Sequence, residues 1–230
     1  VDFTLTVAAT STEGADTAVT TGTLHVSLAS DADTPVLVVH DASGTEDQPI
    51  LLDLSSSLTD TDGSELLSIT LSGVPDGAEL SAGTLNPDGT WTLESGDLNH
   101  LTITPSANSD LDFTLTVTAT STESHGGSFA TVTRTLNVSV DPAADVPTLI
   151  VHNVSDVEDH AISLDLSAAL TDTDGSESLS ITISGVPDGA ELSVGIDNHD
   201  GSWTLSSSEL PGLTITPPAN SYADFTLSVH

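Results

Sequence analysis

Residues 112–123 read DFTLTVTATSTE, and residues 2–13 read DFTLTVAATSTE. In the later copy Phe113, Leu115, Val117 and Ala119 point one way, and Thr114, Thr116 and Thr118 point the other. A period of two, carried by Thr and Val, marks a half-buried antiparallel strand. The stretch TVTRTLNVSV (131–140) alternates in the same manner through Val132, Leu136, Val138 and Val140. Asp-Gly and Pro-Asp-Gly turns punctuate the chain between such segments. No segment shows a 3.6-residue period, so the expected class is all-β.

The repeated dodecapeptide belongs to a larger repeat. Residues 35–113 aligned with 147–225, an offset of 112, are identical at 53 of 79 positions. SGVPDGAELS (72–81) recurs whole at 184–193, and LTITP (101–105) recurs at 213–217. A unit of about 110 residues is the size of one Ig-type sandwich and far longer than a solenoid turn. The expected fold is therefore a set of tandem Ig-like antiparallel β-sandwich repeats. In the central unit the alternation predicts strands near 36–41, 49–54, 66–72, 78–81, 90–94, 101–105, 112–121 and 130–140. Trp91 and Trp203 fall at matching positions after Asp-Gly turns and read as core anchors.

Two acidic, Pro-ended stretches, DADTP (31–35) and DPAADVP (141–147), read as linkers. They divide the chain into 1–30, the C-terminal hairpin of a preceding repeat; 31–141, a complete repeat; and 142–230, a second repeat lacking its last strands. The chain opens at Val1 inside a strand pattern, which reads as a piece of a longer polypeptide. The two partial pieces overlap at DFTLTV and DFTLSV and together amount to one sandwich. Head-to-tail complementation is an expectation from this: the hairpin of one molecule completing residues 142–230 of another.

Thirty-five acidic residues stand against a single basic one, Arg134, for a net charge of −34. Nucleic acid and anionic membrane surfaces both require Lys/Arg clusters, so neither is an expected partner. No apolar run approaches the roughly 18 residues of a membrane helix, so direct membrane insertion is not expected either. Self-repulsion at this charge opposes compaction. Bound divalent cations or a high-salt environment would relieve it. The chain has no cysteine, which excludes disulfides and thiolate metal sites.

The acidic residues are clustered, and the clusters repeat. TDTDGSE occurs at 59–65 and again at 171–177, placing Asp60, Asp62 and Glu65 in one copy and Asp172, Asp174 and Glu177 in the other. Glu46 and Asp47 are matched by Glu158 and Asp159. The linkers hold Asp31 and Asp33, and Asp141 and Asp145; Asp112 precedes the long strand. Calcium takes six to eight oxygen ligands at flexible spacing, more than one cluster supplies. Strand counting gathers them. Loops of an antiparallel sandwich alternate between its two ends, so TDTDGSE is expected at the end facing its own linker. Glu46, Asp47 and Asp112 are expected at the opposite end, facing the next linker. Every one of these carboxylates is a candidate Ca²⁺ ligand. The twelve-residue EF-hand spacing is absent.

DTDGSE, SGVPDGAELS, DGTWTL, LTITP and DFTLTVTATSTE together resemble the tandem Ig-like extender repeats of giant calcium-dependent bacterial adhesins, the type I-secreted RTX family that includes biofilm and ice-binding adhesins. The passage 101–122 is also similar to cadherin repeats. The resemblance implies an extracellular, cell-surface spacer whose linkers are made rigid by Ca²⁺ and whose partners are neighbouring repeats of the same polypeptide. It implies ligand roles for Asp60 and Asp62. The copies depart from one another at Asp110, which becomes Tyr222. The Gly-Gly-x-Gly-x-Asp nonapeptide of the family's export region does not occur here.

No His-Glu-x-x-His, Gly-x-Ser-x-Gly or Gly-rich phosphate loop is present, and near-identical copies argue against an active site, so no enzyme is expected. His40 and His152 match and read as strand-end residues. The alternative reading is a carbohydrate- or surface-binding β-sandwich module.

Overall fold

The computed structural model describes residues 2–230; Val1, where the expected first segment 1–30 begins, lies outside them. The described residues are all-β and contain no α-helix, only a single 3-10 turn at Ser207–Glu209. No helix among them is long and apolar enough to cross a membrane. Two compact units emerge. One comprises residues up to Ala107 with Leu111–Val140, the other Asn108–Asp110 with Asp141–His230.

The first unit opens with a hairpin, β1 (Phe3–Glu13) and β2 (Asp16–Val26), whose eleven residue pairs run from Phe3–Val26 to Glu13–Asp16. Among the described residues it bonds to no other strand. The sandwich follows with β3 (Val36–Val39), β4 (Ala42–Thr45), β5 (Ile50–Leu51), β6 (Leu54–Ser57), β7 (Glu65–Ser72), β8 (Glu79–Leu80), β9 (Thr84–Leu85), β10 (Trp91–Leu93), β11 (Thr102–Thr104), β12 (Phe113–Glu123) and β13 (Phe129–Asp141). Strands β4-β13-β12-β7-β10-β9 make a six-stranded sheet; β5-β11-β8 make a second sheet, and β3-β6 a short pair.

The alternation read from the sequence places the core. Leu115, Val117 and Ala119 of β12 and Leu136, Val138 and Val140 of β13 are buried, and they join one cluster with Ile69, Leu71, Leu93, Ile50 and Ile103. Trp91 packs against this cluster, as Trp203 does in the second unit. The turn SGVPDG is fixed by Gly73, at φ +87°, where an added Cβ would lie 2.5 Å from the Thr114 carbonyl oxygen. Only a residue without a side chain tolerates both the dihedral and that approach.

Two strand expectations are corrected. The run 49–54 is not one strand: β5 pairs with β11 and β6 with β3, so the chain changes sheets at Leu52 and Asp53. The first strand likewise breaks after Val39, and β4 joins the large sheet instead. Ile50, Leu52 and Leu54 are buried and Leu51 and Asp53 exposed, so a period of two runs unbroken through the crossing and hides it.

The second unit repeats this plan. Its strands are β14 (Thr148–His152), β15 (Ile162–Ser163), β16 (Asp165–Ala169), β17 (Ser180–Ser184), β18 (Glu191–Leu192), β19 (Ile196–Asp197), β20 (Ser202–Ser206), β21 (Thr214–Thr216) and β22 (Ser228–Val229). The sheets β14-β16, β15-β21-β18 and β19-β20-β17-β22 correspond strand for strand to β3-β6, β5-β11-β8 and β9-β10-β7-β12. Register is kept too: Ser184–Ser228 and Ile183–Val229 reproduce Ser72–Thr116 and Leu71–Val117. His40 bonds Asp53, and His152 bonds Asp165, as matching exposed pairs at strand ends.

Candidate metal centre

In the first unit the TDTDGSE loop joins β6 to β7 and lies against its own linker. Two short side-chain turns shape it: the Asp62 N–H donates to the Asp60 carboxylate at 2.8 Å, and the Ser64 N–H to the Asp62 carboxylate at 2.7 Å. The same bonds, with the same lengths, form at Asp172–Asp174 and Asp174–Ser176 in the second unit. The linker closes over the loop. The Asp33 N–H donates to Glu65 Oε1 at 2.6 Å, and Thr59 Oγ1 donates to the Thr34 carbonyl. In the second unit the Asp145 N–H donates to Glu177 Oε1, and Thr171 Oγ1 to the Val146 carbonyl. Each linker is thus bonded to the glutamate that ends the following heptapeptide.

Glu65 is the first residue of β7 and Glu123 the last of β12, and they are register partners. Directly opposed residues of an antiparallel pair carry their side chains on the same face. Both glutamates are buried, at 5% and 6% exposure, and each keeps one enclosed oxygen, Oε2, with no hydrogen-bond partner. Asp31 stands beside them through Ser128, whose hydroxyl donates to Asp31 and accepts from the Ala32 N–H. The Ser128 carbonyl accepts from the Glu123 N–H. Ser124 is tied twice to the Ser64 carbonyl. Linker, heptapeptide loop and β12–β13 turn therefore converge on one end of this unit. In the second unit Glu177 Oε2 is likewise enclosed and without a partner.

A carboxylate oxygen buried without a partner loses its hydration and receives nothing in return. Two such oxygens on opposed strands, of one charge and with oxygen-only chemistry, suit a hard divalent cation. Glu65, Glu123 and the neighbouring Asp31, Asp33, Asp60 and Asp62 are the groups of this end that could hold one. Glu123 was not among the residues singled out by sequence. Its signal is parity: Phe113, Leu115, Val117, Ala119, Ser121 and Glu123 share the inward face of β12, and the face stays buried to its end.

The remaining candidates are placed as follows. Asp112 accepts the Val140 N–H at 2.8 Å, which puts it at the far end of the first unit, beside the close of β13. Glu46 and Asp47 form the turn between β4 and β5; Asp47 is left-handed, as is its counterpart Asp159. Asp159 accepts the Asn220 N–H, and Glu158 is exposed in the same turn. Asp141 ends β13, and Asp145 accepts from the Asn108 side chain. Within either unit taken alone, no three carboxylates of the described residues bring ligand atoms within 4.8 Å of one another. The Ser64 hydroxyl and N–H hold the Asp62 carboxyl below the ordinary range, and the Ser176 N–H and hydroxyl do the same for Asp174. Both groups are thus kept in the anionic form that a cation requires.

No family model and no curated protein matches the chain. Among solved structures it is similar over 99% of its length to an endo-fucoidan hydrolase of glycoside hydrolase family 107, at 19% identity and a TM-score of 0.26, spanning 32% of that chain. It is also similar over 99% of its length to Drosophila N-cadherin EC1–4, at 12% identity and a TM-score of 0.28, spanning 54% of that chain. Both likenesses are weak and carry no argument about this chain.

Proposed function

We propose that this chain is a run of structural extender repeats of a large bacterial surface adhesin, secreted by the type I route, in which Ca²⁺ stiffens the linkers and holds a ligand-binding domain away from the cell. The observation that supports it is the buried pair Glu65 and Glu123, each with an unpartnered oxygen, at the end of the unit where the linker docks. A linker held by the Asp33–Glu65, Thr59–Thr34, Ala32–Ser128 and Ser128–Asp31 bonds is a tether of a few hydrogen bonds. Calcium bound to Glu65 and Glu123, with Asp31, Asp33, Asp60 and Asp62 around them, would supply the positive charge the pair lacks and fix that tether. In the second unit Glu177, Asp172, Asp174 and Asp145 would serve the same purpose. Calcium supplies charge neutralisation and rigidity here, and no chemical step. Repetition supports the spacer reading: the docked linker, the paired Asp turns and the exposed His–Asp pairs all occur twice, as expected of modules whose product is length.

The test is binding and stability together. Isothermal titration with Ca²⁺ at fixed ionic strength should show saturable uptake in the range of about 10⁻⁴–10⁻³ M, typical of extracellular modules. Glu65→Gln should weaken it. Uptake that Mg²⁺ or added NaCl matches would refute the calcium role, and binding to a glycan array would replace the spacer with a carbohydrate-binding module.

A further inference from the structure

We propose that the first unit carries a transition-metal site, formed by His40, Asp53 and His100, for a borderline divalent ion of the Zn²⁺ class. It is separate from the carboxylates assigned to Ca²⁺ and does not rest on the calcium reading. It lies on the outer face of the sandwich, where the β3–β6 pair meets β5 and β11. His40 follows β3, and its N–H donates to the Asp53 carbonyl at 3.0 Å. Asp53 lies between β5 and β6, where the chain changes sheets. His100 stands just before β11, and its neighbour Leu101 accepts the Leu52 N–H at 2.9 Å. The β3–β6 register, carried one residue past Val39–Leu54, sets His40 opposite Asp53. The β5–β11 register, carried two residues past Leu51–Thr102, sets His100 opposite the same Asp53. The flanking Leu52, Leu54 and Leu101 are buried, whereas His40, Asp53 and His100 are all exposed. One carboxylate thus stands between two histidines in a row across three neighbouring segments.

Two of the three ligands are already together. His40 Nδ1 lies 2.9 Å from Asp53 Oδ2. Nitrogen and oxygen ligands sit about 2.0–2.2 Å from zinc, so neighbours on one ion are about 3–3.5 Å apart. An ion that displaces the hydrogen bond takes Nδ1 and Oδ2, and the imidazole proton moves to Nε2, which leaves the ring neutral as a ligand must be. His100 supplies the third ligand. Its ring has no hydrogen-bond or ion-pair partner among the described residues. The three do not bring ligand atoms within 4.8 Å of one another, so closure turns the exposed His100 ring toward Asp53. Opposed residues of adjacent strands have Cβ atoms about 5 Å apart, which sets the two histidines about 10 Å apart at Cβ, a span that two imidazoles close on one ion. Two imidazoles with one carboxylate suit zinc, copper and nickel, whereas Ca²⁺ takes oxygen alone. The net charge of −34 draws cations of every kind to the surface, and the nitrogen ligands sort them.

The second unit provides a comparison within the same chain. His152 Nδ1 lies 3.1 Å from Asp165 Oδ2, so the first two ligands recur. The third does not, because His100 is matched by Gly212. Both positions are left-handed, at φ +62° and +77°, and a Cβ added at Gly212 would meet nothing within 4 Å. Glycine takes such a dihedral readily and a side chain takes it at a cost. The turn is therefore formed without the ring, and the fold does not require an imidazole at position 100. Three ligands in the first unit and two in the second predict one strong site per chain.

The experiment uses the whole chain. Zn²⁺ is titrated by calorimetry in the presence of millimolar Ca²⁺. One saturable equivalent per chain is expected. His40→Ala and His100→Ala should each weaken it about tenfold or more, and His152→Ala should leave it unchanged. All three side chains are exposed, and circular dichroism checks that each variant folds. Gly212→His should add a second equivalent by restoring the third ligand beside His152 and Asp165. In NMR, the ring nitrogens of His40 and His100 should shift together, before those of any other histidine. No saturable zinc uptake, uptake untouched by His40→Ala or by His100→Ala, or zinc that millimolar Ca²⁺ displaces would overturn the proposal. A folded Gly212→His chain that gains no equivalent overturns the three-residue row as the origin of binding. Neither result bears on the calcium reading.

Discussion

Glu123→Gln separates a cation site from an ordinary buried polar pair, because its effect should change sign with calcium. The substitution keeps the size of the side chain and removes one charge. Opposed residues on antiparallel strands have Cβ atoms about 5 Å apart. At that separation and an effective dielectric of about 20, two like charges repel by about 3 kcal/mol. In EDTA, then, the variant should be more stable than the wild type by about 1–3 kcal/mol, a rise of several degrees in melting temperature for a unit of about 110 residues. In millimolar Ca²⁺ the order should reverse, since the amide gives up an anionic ligand. Each unit holds one of the two tryptophans, Trp91 and Trp203. A Trp203→Phe background therefore lets tryptophan fluorescence follow the first unit alone. Glu13→Gln is the control: the same sequence position on the exposed hairpin, with no expected effect on that unit. A Glu123→Gln variant destabilised equally with and without calcium would refute the reasoning.

Other expectations follow from the packing. Leu136→Ala, at a fully buried position, should cost the first unit about 2–5 kcal/mol in urea denaturation, whereas the matching Leu24→Ala should stay within about 0.5 kcal/mol. Gly73→Ala should destabilise by about 2 kcal/mol or more, because the added Cβ meets the Thr114 carbonyl at a left-handed dihedral. Thr90 holds the Asp88 carboxyl below the ordinary range through its hydroxyl and N–H, and Ser202 holds Asp200 in the same way. A depressed carboxylate stabilises the fold above its unfolded value and loses that contribution as pH falls through the folded one. Any stability lead of the wild type over Asp88→Asn in the first unit should therefore shrink as pH falls below about 4.

The strands that alternate strictly were legible because their two faces meet different surroundings. The long strands β12 and β13 fall where the period of two sets them, within a few residues. β4 was not legible. Ser43 and Gly44 have little strand preference, and Gly44 is there because a Cβ would sit 2.7 Å from Ile50 Cγ1. That strand exists through pairing with β13, a contact from residues about a hundred positions away. The split of 49–54 was hidden for a related reason: Ile50, Leu52 and Leu54 keep a period of two across it, and that period does not say which of two sheets each residue joins. Of the acidic residues, Asp60, Asp62 and Glu65 were legible from repetition, and their linker contact from strand parity. Glu123 obeys the same parity as Leu115, yet its residue type argues for solvent, and only the closure of the β12–β13 turn over it puts it inside.

Melting of the intact chain against Ca²⁺ concentration, at constant ionic strength and with Mg²⁺ as the comparison, tests the calcium role most directly. At about a hundredfold excess over a dissociation constant near 10⁻⁴ M, each bound ion adds about 2.7 kcal/mol. The expected result is a rise of roughly ten degrees per site that EDTA reverses and Mg²⁺ does not reproduce. A melting temperature that follows total ionic strength and is indifferent to which cation supplies it would contradict calcium binding and leave the acidic surface as an adaptation to salt.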